Sequence, residues 1–174
     1  MNELTFRDAE RADVGLVLHF IKQLAAYEKM LDEVIATEEG LEEWIFDKGV
    51  AHVFFPVVDG KEVGFCLYFF NFSTFQGRAG LYLEDVYIDP EYRGRGYGKA
   101  IFRELARVAL EKGCGRMEWV CLNWNKPSID FYLSMGAHAM DEWATYRMDR
   151  PVIEKLAADT KDTGEPQVDS DRIV

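Results

Sequence analysis

Cysteine is scarce and carries no pattern. Three occur in 174 residues, Cys66, Cys114 and Cys121; the number is odd and no two share a C-x-x-C spacing, which argues against a disulfide framework or a zinc site. Histidine is as thin. His19, His52 and His138 are scattered and suggest neither a metal centre nor a catalytic triad. No apolar run approaches the roughly 18 to 20 residues that span a bilayer, and Met1-Asn2-Glu3 lacks the basic and greasy regions of a secretory leader. Basic charge is the last shortage: 20 Lys and Arg stand against 31 Asp and Glu, a formal net charge of −11. Such a surface repels nucleic acid and anionic lipid and attracts cations. The expectation is a cytoplasmic protein with free thiols, no metal, no nucleic-acid or membrane partner, and a small cationic ligand.

What is present suits a folded α/β domain. Apolar residues make up 48% and charged residues 29%, ordinary values for a globular chain. The patterning predicts a first strand over 3–8, then a helix capped by Asp13 and running to Tyr27 with Val17, Phe20, Ile21 and Leu24 on one stripe. Thr37 opens a second helix expected to turn Leu41, Trp44 and Ile45 inward. Residues 51–58, 62–72 and 80–88 read as an antiparallel meander, with Asp59-Gly60 as a hairpin turn and Gln76-Gly77-Arg78 as the next reversal. The period then changes. Ile101, Leu105 and Val108 mark a helix over 97–112 that Gly113 stops. A strand over 116–122, a short helix from Pro127 to Met135 and a last strand over Ala144–Met148 follow. The strand, helix, strand order implies a right-handed crossover and a parallel pair. One domain is expected over 1–150, with 151–174 a loosely held C-terminal extension, since 159–174 carry few core-forming residues.

The chain is organised around Leu81 to Glu111. There a strand leads through Arg93-Gly94-Arg95-Gly96-Tyr97-Gly98 into a helix, an arrangement that turns backbone N–H groups toward one point where the helix dipole favours an anion. Two phosphate motifs fail on spacing: Lys99 is followed by Ala100, not Ser or Thr, and Lys99 also stands where G-x-G-x-x-G needs its third glycine. From Arg93 to Arg107 the basic residues Arg93, Arg95, Lys99, Arg103 and Arg107 face one acid, Glu104, in an otherwise acidic chain. A solvated basic helix face after an ordinary glycine turn fits the same pattern.

Arg93 to Gly98 matches the R/Q-x-x-G-x-G/A motif for acetyl-CoA, and the chain resembles the GNAT N-acetyltransferases. It is most similar to their diamine, spermidine/spermine N1-acetyltransferase type. The resemblance rests on Ile21-Lys22-Gln23-Leu24-Ala25-Ala26-Tyr27-Glu28, Leu81-Tyr82-Leu83-Glu84-Asp85, Tyr92-Arg93-Gly94 and Trp124-Asn125-Lys126-Pro127-Ser128-Ile129-Asp130-Phe131-Tyr132, and covers about residues 5 to 150. It implies the GNAT fold: a mostly antiparallel mixed sheet of about seven strands, a splayed central parallel pair, and helices on both faces.

The resemblance also implies acetyl transfer from acetyl-CoA to a primary amine by direct attack in a ternary complex. Polyamine is the first acceptor it suggests; thialysine or another small amine is the alternative, and a non-catalytic acetyl-CoA sensor is a third reading. Val86, Tyr87, Ile88, Arg93, Gly94, Arg95, Gly96, Tyr97, Gly98 and Lys99, with Asn125, Lys126, Pro127 and Ser128, fall at cofactor positions. Tyr27, Glu28, Glu84, Asp85, Glu118, Trp119 and Val120 fall at acceptor positions. A primary amine is mostly protonated at pH 7, so a base is needed. Glu84 matches the family's base, acting through water, and Tyr132 its general acid, although an edge carboxylate and a packed aromatic account for the same two residues. A homodimer is expected from the same resemblance.

Overall fold

The computed structural model describes residues 3–158. Its chain divides into two compact units, the first ending at Leu122 and the second beginning at Asn123. The division lies inside the range that the sequence suggests is one domain.

The first unit contains strand β1 (Leu4–Asp8), helix α1 (Val14–Tyr27), helix α2 (Glu38–Glu42), strands β2 (His52–Val58), β3 (Lys61–Glu62), β4 (Gly64–Ser73) and β5 (Arg78–Ile88), helix α3 (Tyr97–Glu111) and strand β6 (Met117–Glu118). The sheet runs β1-β2-β4-β5-β6, with β3 also pairing β2. All neighbours are antiparallel except β5 and β6. This is the mixed α/β sheet the resemblance implies, with six strands in place of about seven.

Local chemistry accounts for most of these elements. Asp59 and Gly60 have φ of 52° and 78°, the left-handed pair a type I′ hairpin turn requires. The strand expected over 62–72 breaks at Val63, whose N–H donates to Pro56 O at 3.0 Å and whose carbonyl accepts from Asp89 N–H at 2.9 Å. Beside it β4 and β5 approach so closely that a Cβ on Gly64 would lie 2.1 Å from Tyr87 O. Only glycine fits there.

Side chains alternate between the two faces of each strand. One face brings Val53, Phe55, Phe65 and Tyr87 against Val17 and Phe20 of α1 and against Ile45, with the Phe20 and Phe65 rings stacked at 5.9 Å. The other carries Phe54, Cys66, Tyr68 and Leu83, all buried. On that side lies α3, which buries Ile101 and Leu105 and whose Glu104 and Arg107 act on the Tyr68 hydroxyl.

Three expectations need correction in these elements. Asp13 is the N-cap residue of α1 as expected, but its side chain makes no cap bond, because the carboxylate takes Arg7 at 2.7 Å and the Glu10 N–H at 2.8 Å. Trp44 faces out, half-exposed, under the Lys48 ammonium at 3.6 Å from its ring centroid. The cause is a π turn over Glu43–Asp47, closed by Lys48 N–H to Glu43 O at 2.9 Å, which shifts the phase of the helix so that Ile45 is buried and Leu41 packs against the same core while Trp44 is not. Third, the strand predicted over 116–122 contracts to Met117–Glu118.

The second unit holds helix α4 (Lys126–Ser134) and helix α5 (Arg150–Ala158). Gly136, at φ 91°, ends α4. The strand expected over Ala144–Met148 is absent, and its residues are exposed. A strand needs a partner edge, and the described part of this unit contains no other strand. Past Arg150, α5 occupies the start of the extension expected to be loose, with an Arg150 to Glu154 ion pair at 2.6 Å one turn apart. The remainder, 159–174, lies outside the described residues.

Candidate active site

The glycine turn forms a cradle. Gly94 and Gly96 have φ of 73° and 83°, a left-handed conformation that costs other residues energy. A Cβ at either would meet nothing within 4 Å, so the turn is glycine-rich for its backbone shape and stands open. Gly96 is the N-cap of α3 and offers no side-chain cap. The first N–H groups of this 15-residue helix, from Tyr97, Gly98 and Lys99, therefore suit an anion.

Beside the cradle the sheet opens. The parallel ladder joins Leu81 to Met117 and Tyr82 to Glu118 and goes no further. From Leu83 to Ile88, β5 has no strand on that edge among the described residues. Asp89 turns its N–H across to Val63 O, so alternation points the backbone groups of Ile88 and Val86 to the open edge. Tyr87, grouped with them by the resemblance, turns the other way: its carbonyl lies against Gly64 and its ring is in the core.

Arg93 does not reach into the cradle. Its Nε donates to Ile88 O at 2.8 Å, and its guanidinium lies 4.9 Å from the Tyr27 ring centroid and 5.4 Å from that of Tyr87. Arg95 folds back similarly, donating to Glu91 O at 2.9 Å and lying over Tyr92 at 5.3 Å.

A β-bulge sets the placement of Glu84 and Asp85. Tyr68 faces Leu83 and Leu67 faces Asp85, which leaves Glu84 as the extra residue on β5. Odd-numbered residues change faces there: Leu83 points toward α3, whereas Asp85 joins Tyr87 on the α1 side. The last turn of α1 presents Tyr27 and Glu28. It closes with Met30 N–H to Ala25 O at 2.8 Å and Lys29 N–H to Ala26 O at 3.2 Å, Lys29 taking the left-handed position at φ 63°.

The result is a group of three carboxyls, Glu28, Glu84 and Asp85. Burial, then the charges of Glu84 and Glu28, push the Asp85 carboxyl up to about 7. Burial also raises Glu28. Such a group attracts a cation and can take a proton near neutral pH.

The remaining acceptor candidates of this unit sit differently. Glu118 accepts from Asn71 Nδ2 and pairs with Arg116 Nε, both at 2.9 Å, so its charge is already met. Trp119 packs edge-on against Phe102 at 5.1 Å, and Val120 is exposed.

In the second unit Asn125 stands buried at the N-cap of α4 without a side-chain cap bond, and Pro127 occupies the first turn. Lys126 pairs with Asp130 at 2.7 Å, and Ser128 is half-buried. Tyr132 is half-buried beside Phe131, ring centroids 5.6 Å apart. Sequence reasoning missed the contact of Arg93 with Tyr27 and the part of Asn71 in holding Glu118. Neither has a local signal, because each joins segments far apart in the chain.

A mixed sheet whose open internal edge leads to an anion cradle at a helix N-terminus defines a class of site, one for an extended ligand with a phosphate part. A family model, the Acetyltransferase (GNAT) family, matches residues 20–137. The chain is 38% identical over 170 residues to thialysine N-epsilon-acetyltransferase of Sus scrofa, covering 90% of this chain and 99% of that one. It is 30% identical over 168 residues to spermidine/spermine N(1)-acetyltransferase-like protein 1 of Homo sapiens, covering 90% of this chain and 24% of that protein. Among solved structures, the aminoglycoside N-acetyltransferase AAC(6')-Iy in complex with CoA has the same fold, with a TM-score of 0.69 at 18% identity over 85% of this chain and 96% of that one. This chain belongs to the GNAT acetyltransferase family.

Proposed function

We propose that this acetyltransferase moves an acetyl group from acetyl-CoA to a primary amine of a small cationic acceptor, and that the acceptor is a thialysine-like amino acid. The observation that carries the proposal is the Glu28, Glu84 and Asp85 group beside the open edge of β5. The relative that matches almost end to end carries thialysine in its name. Polyamine, first on sequence grounds, becomes the second acceptor; the relative named for spermidine and spermine supports it over about a quarter of that protein's length.

The cradle fits the proposed co-substrate: its glycines leave open space and the N-terminus of α3 is uncapped. Val86 and Ile88 offer backbone groups to an extended arm, although the Ile88 carbonyl is already taken by Arg93. When bound, acetyl-CoA supplies an activated thioester. Glu84 takes the proton of the arriving ammonium, and the high proton affinity of Asp85 gives that proton a second place to reside. Tyr132 on α4 returns a proton to the departing thiolate, by the resemblance of its segment. A homodimer completes the proposal on the same ground, and a cytoplasmic location on the free thiols and composition of the sequence.

The test is release of free CoA with thialysine, lysine, spermidine, putrescine and an aminoglycoside. Turnover favouring thialysine supports the reading, and a spermidine preference replaces the acceptor. Tight acetyl-CoA binding with no amine-dependent release would leave a sensor in place of an enzyme.

A further inference from the structure

The Arg93 side chain contacts Tyr27 at the end of α1 rather than the cradle. Its backbone begins the cradle, yet its side chain is directed away from the cradle. The planar guanidinium sits between two rings, Tyr27 at 4.9 Å and Tyr87 at 5.4 Å, while Nε is fixed on Ile88 O at 2.8 Å. Tyr87 is buried in the core and Ile88 belongs to β5, so two of the three contacts are anchored in the sheet. The third is Tyr27, the last residue of α1, which is partly exposed. Glu28 follows it directly, and its charge is one of those acting on Asp85.

We propose that Arg93 is a positioning residue that clamps the C-terminal turn of α1 to β5, so that Tyr27 and Glu28 are held where a cationic acceptor meets Asp85. The inference rests on the acceptor site proposed above. It departs from a phosphate-binding role for this arginine, because Nε is used on a backbone carbonyl and the guanidinium on two rings, and lysine has neither the planar head nor the Nε donor.

The test uses the full chain loaded with CoA. Affinity for thialysine and for spermidine is measured by calorimetry, alongside the KM of each amine and the Kd of acetyl-CoA. Arg93→Gln and Tyr27→Leu are each expected to weaken amine binding about tenfold, the scale of one cation–π contact. The double variant is expected to be about as weak as Arg93→Gln alone, since the contact with Tyr27 is already lost in that variant. Acetyl-CoA affinity is expected to stay within about threefold. Arg93→Lys, which keeps the charge and is the gentler change should the glutamine variant fail to fold, is expected to match Arg93→Gln in amine affinity.

A loss of acetyl-CoA affinity with amine binding intact would overturn the proposal in favour of a phosphate contact. Additive losses, or full amine affinity in Arg93→Lys, would overturn it as well, and so would a wild-type chain that binds neither amine. A chain that binds amine but releases no CoA sinks the transferase reading alone, because the coupling is still read in the binding data.

Discussion

Replacing Asp85 by asparagine should stabilise the protein, and more so as pH rises. The carboxyl is lifted from an ordinary 3.8 to about 7, first by burial and then by Glu84 and Glu28. A raised acid favours the folded state below its unfolded value, where both states hold the proton. That advantage is lost as pH climbs through the window from about 4 to about 7, where the unfolded chain releases a proton that the folded state still holds. At about 1.4 kcal/mol for each pH unit, the window spans about 4 kcal/mol as a ceiling, reduced by water reaching a carboxyl that is not fully enclosed. Asparagine has the same shape and never ionises. Urea unfolding of wild type and Asp85→Asn at pH 5, 6, 7 and 8 should give curves that diverge with pH, with most of the gain present by pH 8. The same substitution should remove a limb near pH 7 from the dependence of kcat/KM on pH for the amine. Parallel stability curves across the range would refute the burial of a proton-holding carboxyl at this position.

Other substitutions test other parts. Tyr132→Phe should lower kcat by ~10² to 10⁴ and leave the KM of acetyl-CoA nearly unchanged, read in steady-state CoA release; wild-type turnover would remove Tyr132 from the mechanism. Gly96→Ala, at φ 83° with nothing within 4 Å of the added carbon, should cost about 1 to 2 kcal/mol by backbone strain alone and raise the KM of acetyl-CoA. Gly64→Ala puts a Cβ 2.1 Å from Tyr87 O and should cost about 3 kcal/mol or more, seen as a lower Tm, because two strands must part. Trp44→Ala should cost about 1 to 2 kcal/mol, since the ring is half-exposed beside the Lys48 ammonium. An inward Trp44 would cost about 3 to 5 kcal/mol.

The elements legible in the sequence are those with local causes. The α1 stripe of Val17, Phe20 and Leu24 follows from helical period, the Asp59-Gly60 turn from left-handed φ, and the cradle from glycines placed between a strand and a helix. What failed depends on partners far away in the chain. Residues 116–122 and 144–148 have the composition of strands, but among the described residues the first is paired for two residues and the second not at all, because pairing is a property of an edge that composition does not reveal. Trp44 failed for a smaller reason: one π turn over Glu43–Asp47 shifts the face, and nothing in Glu-Trp-Ile-Phe-Asp distinguishes it from an α turn.

The candidate site shows the same division more sharply. Glu84 and Asp85 are visible as adjacent acids in an apolar strand, and strict alternation would send them to opposite faces. In that case Asp85 would share a face with Leu81 and Leu83 under α3, far from α1, and the acids would form no group. The extra residue at Glu84 reverses the alternation, so Asp85 lands on the α1 side with Glu28. The bulge therefore brings two strand acids to the proposed cation site, and it depends on the register of Leu67 and Tyr68 on the neighbouring strand. Deleting Glu84 removes the bulge in one step: Leu83 and Asp85 become consecutive, regular alternation keeps Asp85 on the α1 side opposite Leu67, and its carboxyl keeps Glu28 but loses the charge of Glu84. Amine affinity should then survive the deletion about as well as it survives Glu84→Gln, with kcat lowered in both, because each removes the same carboxyl and leaves Glu28 and Asp85 together. Loss of amine binding in the deletion alone would mean that the shape of the bulge, and not only the carboxyl it adds, organises the proposed acceptor side.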